Sequence, residues 1–316
     1  MIEAGGESGP ISARDDVKID IHCHTTNRRI PDVAPLSASL SAIRSEMKRY
    51  NVEKTVVLAT YFPHRTSGIT NFRLLNWIQE ANQGEIKNQG ESDPHHDGPF
   101  LMFGSLDFAH YFFQGLSELE ELAEKKLMHG IKIYTCYQDI DIRGDPIKDI
   151  ASLANRFFLP LMFHCGYAHG RNDVGKEIAI TDSVKPSHLE WIAEEYPHLP
   201  IVISHLADPS TEDLITVVNR HNNVFSDMSG LINSRYEFDE SPEFVEKVKA
   251  LSVEQIRRFA NECGPRKLLF GTDFPIQTHK DSIAFVEEGM KGFEEPDKSL
   301  VYYHNARWML HCKSSP

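Results

Sequence analysis

The sequence predicts an α/β fold, a (β/α)8 TIM barrel in which eight parallel strands alternate with helices. Short apolar runs recur along the chain at regular intervals, and amphipathic stretches separate them. The runs are apolar along nearly all of their length, which is typical of parallel strands that helices cover on the outside. An open doubly wound sheet would show the same alternation. The count of eight runs and the length of 316 residues favour the closed barrel.

Each predicted strand is too short for a helix and is rich in β-branched or aromatic residues. In chain order, the predicted strands are Val17–Ile21, Thr55–Thr60, Phe100–Leu106, Gly130–Thr135, Leu159–His164, Ile201–His205, Val224–Asp227 and Lys267–Thr272. The amphipathic stretches between them are the predicted helices, and one more follows the last strand. These are Ser37–Tyr50, Asn71–Asn82, Leu116–Lys126, Pro146–Phe157, Ser187–Tyr196, Thr211–Arg220, Pro242–Asn261, Ser282–Met290 and Lys298–Leu310.

Three of these segments contain a Ser followed three residues later by Glu or Gln, the pattern of a capping box. The pattern begins at Ser117, Ser187 and Ser252 and predicts a helix start at each. Because Ser252 lies within the long segment Pro242–Asn261, the pattern there predicts two helices instead of one.

Residues 1–15 are predicted to be a flexible leader, and residues 16–316 a single barrel domain that ends in a C-terminal helix. The N-terminal residues contain neither a basic start nor an apolar stretch, so they do not form a secretory signal. The chain contains no run of roughly 18 apolar residues, the minimum for a membrane-spanning helix. The five cysteines are scattered and form no C-x-x-C motif, which predicts reduced thiols and a cytoplasmic location.

The charge balance restricts the partners of the protein. The chain has 33 Lys and Arg against 46 Asp and Glu, a formal net charge of −13. An acidic surface repels nucleic acid and anionic lipid, so we expect neither as a partner. The expected partner is a small-molecule substrate. The sequence leaves open whether the chain forms a homo-oligomer.

Two histidines at the end of the first predicted strand indicate a metal site. His22 and His24 are two residues apart, so on a strand both side chains point to the same face. At the carboxyl end of a barrel strand, that face is the mouth of the barrel. Two imidazoles directed into one cavity pack poorly, but they are good metal ligands.

Other strand ends carry residues of the same kind. His164 ends the fifth predicted strand, His205 ends the sixth, and Asp273 follows the eighth. A carboxylate after a buried apolar run is costly unless it has a partner. Three His and one Asp form a set of nitrogen and oxygen ligands that suits Zn²⁺ best, while Mn²⁺, Fe²⁺ and Co²⁺ also fit it.

Six motifs, in this order, resemble successive signatures of the amidohydrolase superfamily. They are Ile19–His24 (IDIHCH), Gly130–Ile133 (GIKI), Met162–Gly166 (MFHCG), Ser204–Ala207 (SHLA), Leu269–Pro275 (LFGTDFP) and Asn305–Leu310 (NARWML). The chain is most similar to the amidohydrolase-2 branch, which includes the aminocarboxymuconate-semialdehyde decarboxylase-like enzymes. The similarity extends from about residue 17 to residue 311.

The resemblance implies a barrel that holds one divalent metal ion through His22, His24, His164 and Asp273. It also implies that His205 lies beside the metal-bound water as a base or electrostatic partner. Some members of the superfamily carry a carbamylated Lys at the end of strand four that bridges two metals. Lys132 lies three residues before the predicted strand end at Thr135, so we expect it in the barrel interior or pocket floor. A Lys132-bridged pair of metals is the alternative.

The predicted reaction is hydrolysis of a small carbonyl compound, namely an amide, a lactone or an activated C–C bond. A divalent cation lowers the pKa of a bound water from ~15.7 toward ~7, and Asp273 can take the proton as the water attacks. The alternative is a non-oxidative decarboxylase of a small unsaturated or aromatic carboxylic acid. A metal-dependent nuclease is disfavoured by the acidic charge and by Lys132 at strand four.

The loops that follow the strands are expected to select the substrate. Tyr134 lies after the fourth strand, and several arginines lie on the loops around the mouth. These are Arg28, Arg29, Arg65, Arg171 and Arg235. A guanidinium binds a carboxylate with two parallel hydrogen bonds, so we expect a carboxylate-bearing substrate, with Arg65, Arg171 and Arg235 as the candidate binding residues.

Overall fold

In a computed structural model, which describes residues 17–26, 36–61, 68–89, 98–166 and 184–311, eight parallel strands pair in the order of the chain. The strands are β1 (Lys18–Cys23), β2 (Val52–Leu58), β3 (Phe100–Gly104), β4 (Gly130–Ile133), β5 (Leu161–Phe163), β6 (Ile201–Ile203), β7 (Val224–Asp227) and β8 (Leu268–Leu269). This arrangement is a (β/α)8 TIM barrel and confirms the predicted fold class.

Helices lie between and after the strands and cover the outside of the sheet. They are α1 (Leu40–Tyr50), α2 (Asn71–Gln89), α3 (Phe112–Glu124), α4 (Asp145–Phe157), α5 (Glu190–Glu195), α6 (Thr211–Arg220), α7 (Tyr236–Asp239), α8 (Pro242–Cys263), α9 (His279–Gly289), α10 (Glu295–Ser299) and α11 (Asn305–His311). A π-helical turn, Leu300–His304, joins the last two. None of the helices in the described part of the chain is both long enough and apolar enough to cross a lipid bilayer.

The barrel closes where β1 meets the segment after β8. The Ile21 N–H donates to the Phe270 carbonyl at 3.1 Å, and the His24 N–H donates to the Phe274 carbonyl at 2.8 Å. In the opposite direction, the Asp273 N–H donates to the His22 carbonyl at 2.7 Å. These backbone contacts bring the residues that follow the first and last strands to the same point at the mouth.

The core has two layers, one inside the barrel and one outside it. The inner layer consists of alternate strand side chains, among them Ile19, Ile21, Val56, Leu58, Leu101, Phe103, Met162, Val202 and Leu269. Tyr303, Ala306 and Met309 of the C-terminal segment pack against this layer next to Val17, at the end of the barrel opposite the mouth. The outer layer fills the space between strands and helices. Because both faces are buried, the strands read as continuous apolar runs.

Six of the eight strands end earlier than predicted, whereas β1 continues to Cys23, two residues beyond the predicted end, and β7 ends at Asp227 as predicted. β5 stops before His164, and β6 stops before His205, both of which were predicted to end strands. The backbone explains the difference at β6, because His205 has a φ of 63°, which no strand residue adopts. His164, His205 and Asp273 therefore lie just beyond the sheet, on irregular backbone at its carboxyl end.

Two of the three helix starts that the capping boxes predicted, at Ser252 and Ser117, are wrong, whereas the helical turn that leads into α5 begins one residue before Ser187. Ser252 lies inside α8, which is one continuous helix of 22 residues, and its hydroxyl donates to the Val248 and Leu231 carbonyls. Ser117 likewise lies inside α3, where its hydroxyl donates to the Phe113 carbonyl. Ser187 belongs to a 3-10 turn before α5. A serine inside a helix can bond the carbonyl four residues earlier, so its presence does not require a helix start.

The predicted leader, residues 1–15, lies outside the described residues. The described elements run from Lys18 to His311 and belong to the one barrel.

Candidate metal centre

The first strand directs two imidazoles to the mouth of the barrel. His22 is fully buried near the end of β1, and the side chain of His24, directly after the strand, is 24% exposed. His22 Nε2 lies 3.4 Å from Asp273 Oδ1, and His24 Nε2 lies 3.1 Å from the same oxygen. The three side chains each place one ligand atom within 4.8 Å of the others. We call this group the ligand triad.

The third member of the triad depends on an unusual backbone conformation. Asp273 has a φ of 59°, in the left-handed region that costs a residue with a Cβ roughly 1–2 kcal/mol. Burial by itself would raise the pKa of the Asp273 carboxyl, but the adjacent His24 and His22 rings hold it at about 2. Asp273 is therefore a carboxylate at neutral pH.

The donor atoms of the triad fit a divalent ion. Among the described residues, His22 Nε2 has no hydrogen-bond partner although it is buried, and buried polar atoms are rarely left so. Burial, together with the Lys132 ammonium, lowers the pKa of His22 to about 4, so the ring is neutral at pH 7. A neutral imidazole and a carboxylate are the protonation states that a metal requires of these ligands.

A second group of possible ligands consists of His22, His205 and Asp227. The hydroxyl of Ser229 lies between them, because Ser229 Oγ is 2.9 Å from His22 Nδ1, 3.0 Å from His205 Nδ1 and 2.5 Å from Asp227 Oδ1. This group is a hydrogen-bonded network whose centre is already filled. The ligand triad is therefore the better candidate for a metal site.

The network extends from His205 to His164. His205 Nδ1 lies 2.9 Å from the Ser229 carbonyl, and His205 Nε2 lies 3.1 Å from His164 Nδ1. The centroids of the two rings are 4.6 Å apart, and the ring planes are inclined to each other by 63°. His164, predicted as a ligand, thus lies at the mouth beside His205 and does not belong to the ligand triad in this geometry.

His205 begins a strained segment. Three successive residues, His205, Leu206 and Ala207, have φ values of 63°, 48° and 51°, although none of them is glycine. Such strain is found mainly at functional sites, where the surrounding contacts hold it in place. Burial lowers the pKa of His205, so its ring is neutral at pH 7.

Gly230 makes room between the triad and the network. A Cβ at this position would lie 2.7 Å from Asp273 Oδ2 and 2.8 Å from His205 Nδ1, both closer than real contacts allow. Its φ of +63° is also one that glycine adopts without cost. The position therefore requires glycine for two independent reasons.

Lys132 lies in the barrel interior, as predicted. It is fully buried, and its Nζ donates to Ser204 Oγ at 2.8 Å. Burial lowers the pKa of Lys132 to about 8, against the opposing attraction of Asp227 and Asp273. Tyr134, a predicted substrate-binding residue, is buried with its ring 6.2 Å from that of His24, and its hydroxyl donates to the Ala59 carbonyl at 2.9 Å.

The predicted arginines are described only in part. Arg65 and Arg171 lie outside the described residues, as do Arg28 and Arg29. Arg235 precedes α7, and its guanidinium binds Asp239 with Nε at 3.0 Å and a terminal nitrogen at 2.6 Å from the same oxygen. The structure therefore gives Arg235 a carboxylate partner on its own helix.

A cavity of about 520 Å³, lined mainly by residues of α2, α3 and the segments before them, adjoins the site at one residue. It shares Thr60 with the site, because Thr60 Oγ1 is 3.5 Å from His24 Nδ1. Tyr61, Asp107 and Arg73 also line it. A cavity of this size suits a small molecule.

Two residues of the site, Asp227 and Ser229, were not singled out from the sequence. Asp227 ends the predicted seventh strand, the position that His164 and His205 occupy on their own strands. The rule that polar residues at strand ends form the site would therefore have identified Asp227. Ser229 lies in the loop after the strand, and a serine in a loop does not by itself indicate a functional site.

The comparisons with known proteins agree with this description. The model of the amidohydrolase-2 family, described as amidohydrolase, matches residues 19–311. A search by sequence among curated proteins finds no match.

Solved structures share the fold at low sequence identity. One is a probable 2-pyrone-4,6-dicarboxylic acid hydrolase from Acinetobacter baumannii with citric acid bound (14% identity, 93% of this chain and 98% of that chain, TM-score 0.59). A second is 5-carboxyvanillate decarboxylase from Sphingomonas paucimobilis (14%, 93% and 99%, TM-score 0.59). A third is a dihydroxybenzoic acid decarboxylase from Polaromonas sp. with manganese and 2-nitroresorcinol bound (12%, 95% and 98%, TM-score 0.60).

Proposed function

The chain belongs to the amidohydrolase-2 family, and from that membership we propose that it is a metal-dependent hydrolase of a small carbonyl compound. In this proposal one divalent ion, Zn²⁺ by preference, binds to His22, His24, His164 and Asp273. The observation that carries it is the ligand triad, in which His22 Nε2 and His24 Nε2 lie 3.4 and 3.1 Å from Asp273 Oδ1. A mixed set of imidazole and carboxylate ligands suits Zn²⁺ and also accepts Mn²⁺, Fe²⁺ and Co²⁺.

A divalent ion in this position would activate water for attack and polarise a carbonyl oxygen of the substrate. The residues of the chain supply the proton transfers. Asp273 is ionised, and its Oδ2 is the oxygen not engaged by His22 or His24, so we assign Oδ2 as the acceptor of the proton that the attacking water releases. His205 is neutral and is held by Ser229, so we assign it the role of an electrostatic partner or base beside the reacting atoms.

The substrate class is part of the proposal. The structural neighbours are named for carboxylic acids, one as a hydrolase of a pyrone dicarboxylic acid and two as decarboxylases of aromatic acids. A protein with a net charge of −13 repels such anions at long range, so binding would require a cationic group near the mouth. We propose Arg65 and Arg171 for this role, with Tyr134 at the wall of the pocket.

The second candidate is a non-oxidative decarboxylase of an unsaturated or aromatic carboxylic acid. Two neighbours of the same fold carry that name, and one of them holds manganese. Both reactions would use the same ligands, so the residues of the site do not separate them. Among the described residues, the thiols of Cys23, Cys165 and Cys263 are free, which suits a reducing compartment, and a cytoplasmic location is part of the proposal.

Product analysis in ¹⁸O-labelled water tests the proposal. Protein loaded with Zn²⁺ or Mn²⁺ would be incubated with 2-pyrone-4,6-dicarboxylate, simple lactones and amides, and dihydroxybenzoates. Hydrolysis places ¹⁸O in the organic product without release of CO₂, and this is the expected result. Release of CO₂ with an unlabelled organic product identifies the decarboxylase instead. The control is Asp273→Asn, which should abolish either reaction. Turnover that persists in Asp273→Asn would contradict the assignment of the site.

A further inference from the structure

Asp227 connects the histidines of the mouth to one another. It ends β7 and is fully buried. Its Oδ1 accepts from the His205 N–H at 3.1 Å, the Ser229 N–H at 3.1 Å and the Ser229 hydroxyl at 2.5 Å. Its Oδ2 lies 3.0 Å from His22 Nδ1. One carboxylate therefore contacts groups on both sides of the site.

The positions of the hydrogens follow from these contacts. A backbone N–H can only donate, so the two amides require an oxygen acceptor at Oδ1. Oδ1 accepts three hydrogen bonds, as an oxygen of an ionised carboxylate does, and the second oxygen of a carboxylate is also an acceptor. The single hydrogen of the Ser229 hydroxyl points to Asp227 Oδ1. Toward the two histidine rings, Ser229 Oγ can then only accept.

These acceptors determine which nitrogen of each ring carries the proton. His22 Nδ1 faces Asp227 Oδ2 and Ser229 Oγ, so it must be the protonated nitrogen. His205 Nδ1 faces the Ser229 carbonyl and the same Oγ, so it too is protonated. In a neutral ring the other nitrogen, Nε2, is then an acceptor.

The same reasoning reaches His164 through His205. His205 Nε2 accepts, and its partner at 3.1 Å is His164 Nδ1, which must therefore donate. The proton of His164 is thus on Nδ1, and its Nε2 carries the lone pair. All three rings acquire the same tautomer from one carboxylate and one serine.

We propose that Asp227 is a positioning residue which, with Ser229, holds the protons of His22, His205 and His164 on Nδ1. This leaves the lone pairs of His22 and His164 on Nε2, and His22 Nε2 is the atom that lies 3.4 Å from Asp273 Oδ1. The purpose of this arrangement, which is to prepare two imidazoles as metal ligands, rests on the proposed function. The positions of the protons do not. Carboxylates that orient a ligand histidine in this way typically change metal affinity 10–100-fold when they are replaced.

The tautomers can be measured in the unaltered protein. Metal-free full-length chain labelled with ¹⁵N-histidine would be studied at pH 7.5 by long-range ¹H–¹⁵N correlation, in which protonated and bare ring nitrogens differ in chemical shift. Single His→Asn variants at the three positions assign the signals. We expect the Nδ1–H tautomer at all three. An Nε2–H tautomer at His22 or His205 would overturn the proposal without any reference to metal binding.

Asp227→Asn tests directly whether Asp227 determines the tautomer of His22. The amides of His205 and Ser229 still require an oxygen, so the side-chain NH₂ of the new residue must face His22 Nδ1. A donor at that position forces the His22 proton onto Nε2, as in other enzymes where Asp→Asn reverses a tautomer. We expect the ¹⁵N shifts of His22 to exchange and the affinity for Zn²⁺, measured by chelator competition, to fall about 10–100-fold.

Ser226→Ala is the matched control. Ser226 lies on the same strand and is equally buried, but its hydroxyl donates to the Ile203 carbonyl at 2.6 Å. The Ser226→Ala variant should leave the histidine tautomers and the Zn²⁺ affinity unchanged. If Asp227→Asn keeps the wild-type tautomer, the proposal is wrong even where Zn²⁺ binds. If the wild type shows the expected tautomers but binds neither Zn²⁺ nor Mn²⁺, the proposed function fails, whereas the control of the histidine protons by Asp227 is supported.

Discussion

His24 Nε2 lies 3.1 Å from Asp273 Oδ1, which joins the residue after the first strand to the fourth residue beyond the last. The contact exists because the barrel closes at this point, where the Asp273 N–H donates to the His22 carbonyl at 2.7 Å. Formation of the candidate metal centre and closure of the barrel therefore depend on the same backbone. A metal bound here would stabilise the closed fold, because it would bind the native chain alone.

Gly230→Ala should damage the site more than the fold. The new Cβ would lie 2.7 Å from Asp273 Oδ2 and 2.8 Å from His205 Nδ1, so both side chains must move. Gly264→Ala is the control, because Gly264 also has a positive φ, +85°, but nothing lies within 4 Å of its Cβ position. Each variant should lose roughly 1–2 kcal/mol of unfolding free energy from backbone strain. Only Gly230→Ala should also lose Zn²⁺ affinity. Equal affinities in the two variants would contradict the geometry.

His205→Asn should reduce turnover about 10²–10⁴-fold while the metal content stays unchanged. The reason is that His205 contacts His164 and Ser229 and is not part of the ligand triad. Steady-state kinetics and metal analysis of the same preparation check this. Loss of the metal would make His205 a ligand, and full activity would leave it with a purely structural role.

Lys132→Met should change the pH dependence of stability. Burial lowers the pKa of Lys132 from 10.5 to about 8, so between these values the unfolded chain binds a proton that the native chain does not. Wild-type stability therefore rises with pH across this window, and below about pH 8 the cost of the buried charge is constant.

The variant lacks this contribution. Denaturant unfolding of both metal-free proteins between pH 7.5 and 10.5 should show the wild type gaining up to ~3 kcal/mol relative to Lys132→Met. A difference that does not vary with pH would mean that the native pKa of Lys132 is close to that of an unfolded lysine, as for a well-solvated side chain.

Replacement of the loop arginines tests the carboxylate substrate. Arg65→Met or Arg171→Met should raise KM for an acid at least tenfold more than for its methyl ester, because a bidentate charged contact contributes about 1.5–3 kcal/mol. Arg235→Met is the comparison, since Asp239 already binds the Arg235 guanidinium. If none of the three variants distinguishes the acid from the ester, the substrate is a neutral lactone or amide.

The sequence was sufficient to predict the barrel and most of the residues at its mouth. Eight apolar runs occur where eight strands form, because parallel strands bury both faces. His22, His24, His164, His205 and Asp273 gather at one end because all of them follow strands that point the same way. These inferences need only chain direction and periodicity.

The contacts between these residues could not be predicted in the same way. Whether His164 contacts a metal or His205 depends on the orientation of both rings, and the left-handed backbone that places the His205 ring has no signature in the sequence. The contact of Asp227 with His22 joins β7 to β1, and no pattern in the sequence around either residue indicates it. The capping-box pattern at Ser252 was misleading for a related reason, because packing against neighbouring elements keeps α8 continuous.

The metal content of the freshly purified protein tests the central claim most directly. Plasma mass spectrometry of wild type prepared without chelator should find about one divalent ion per chain, and His24→Ala should lose most of it. His24 suits the test because its side chain is 24% exposed, against 1% for His22, so truncation there disturbs the packing less. His110→Ala, at an exposed histidine that pairs with Asp107, is the control and should retain the ion. A wild type that neither contains nor takes up Zn²⁺ or Mn²⁺, or a His24→Ala variant with full metal content, would contradict the account.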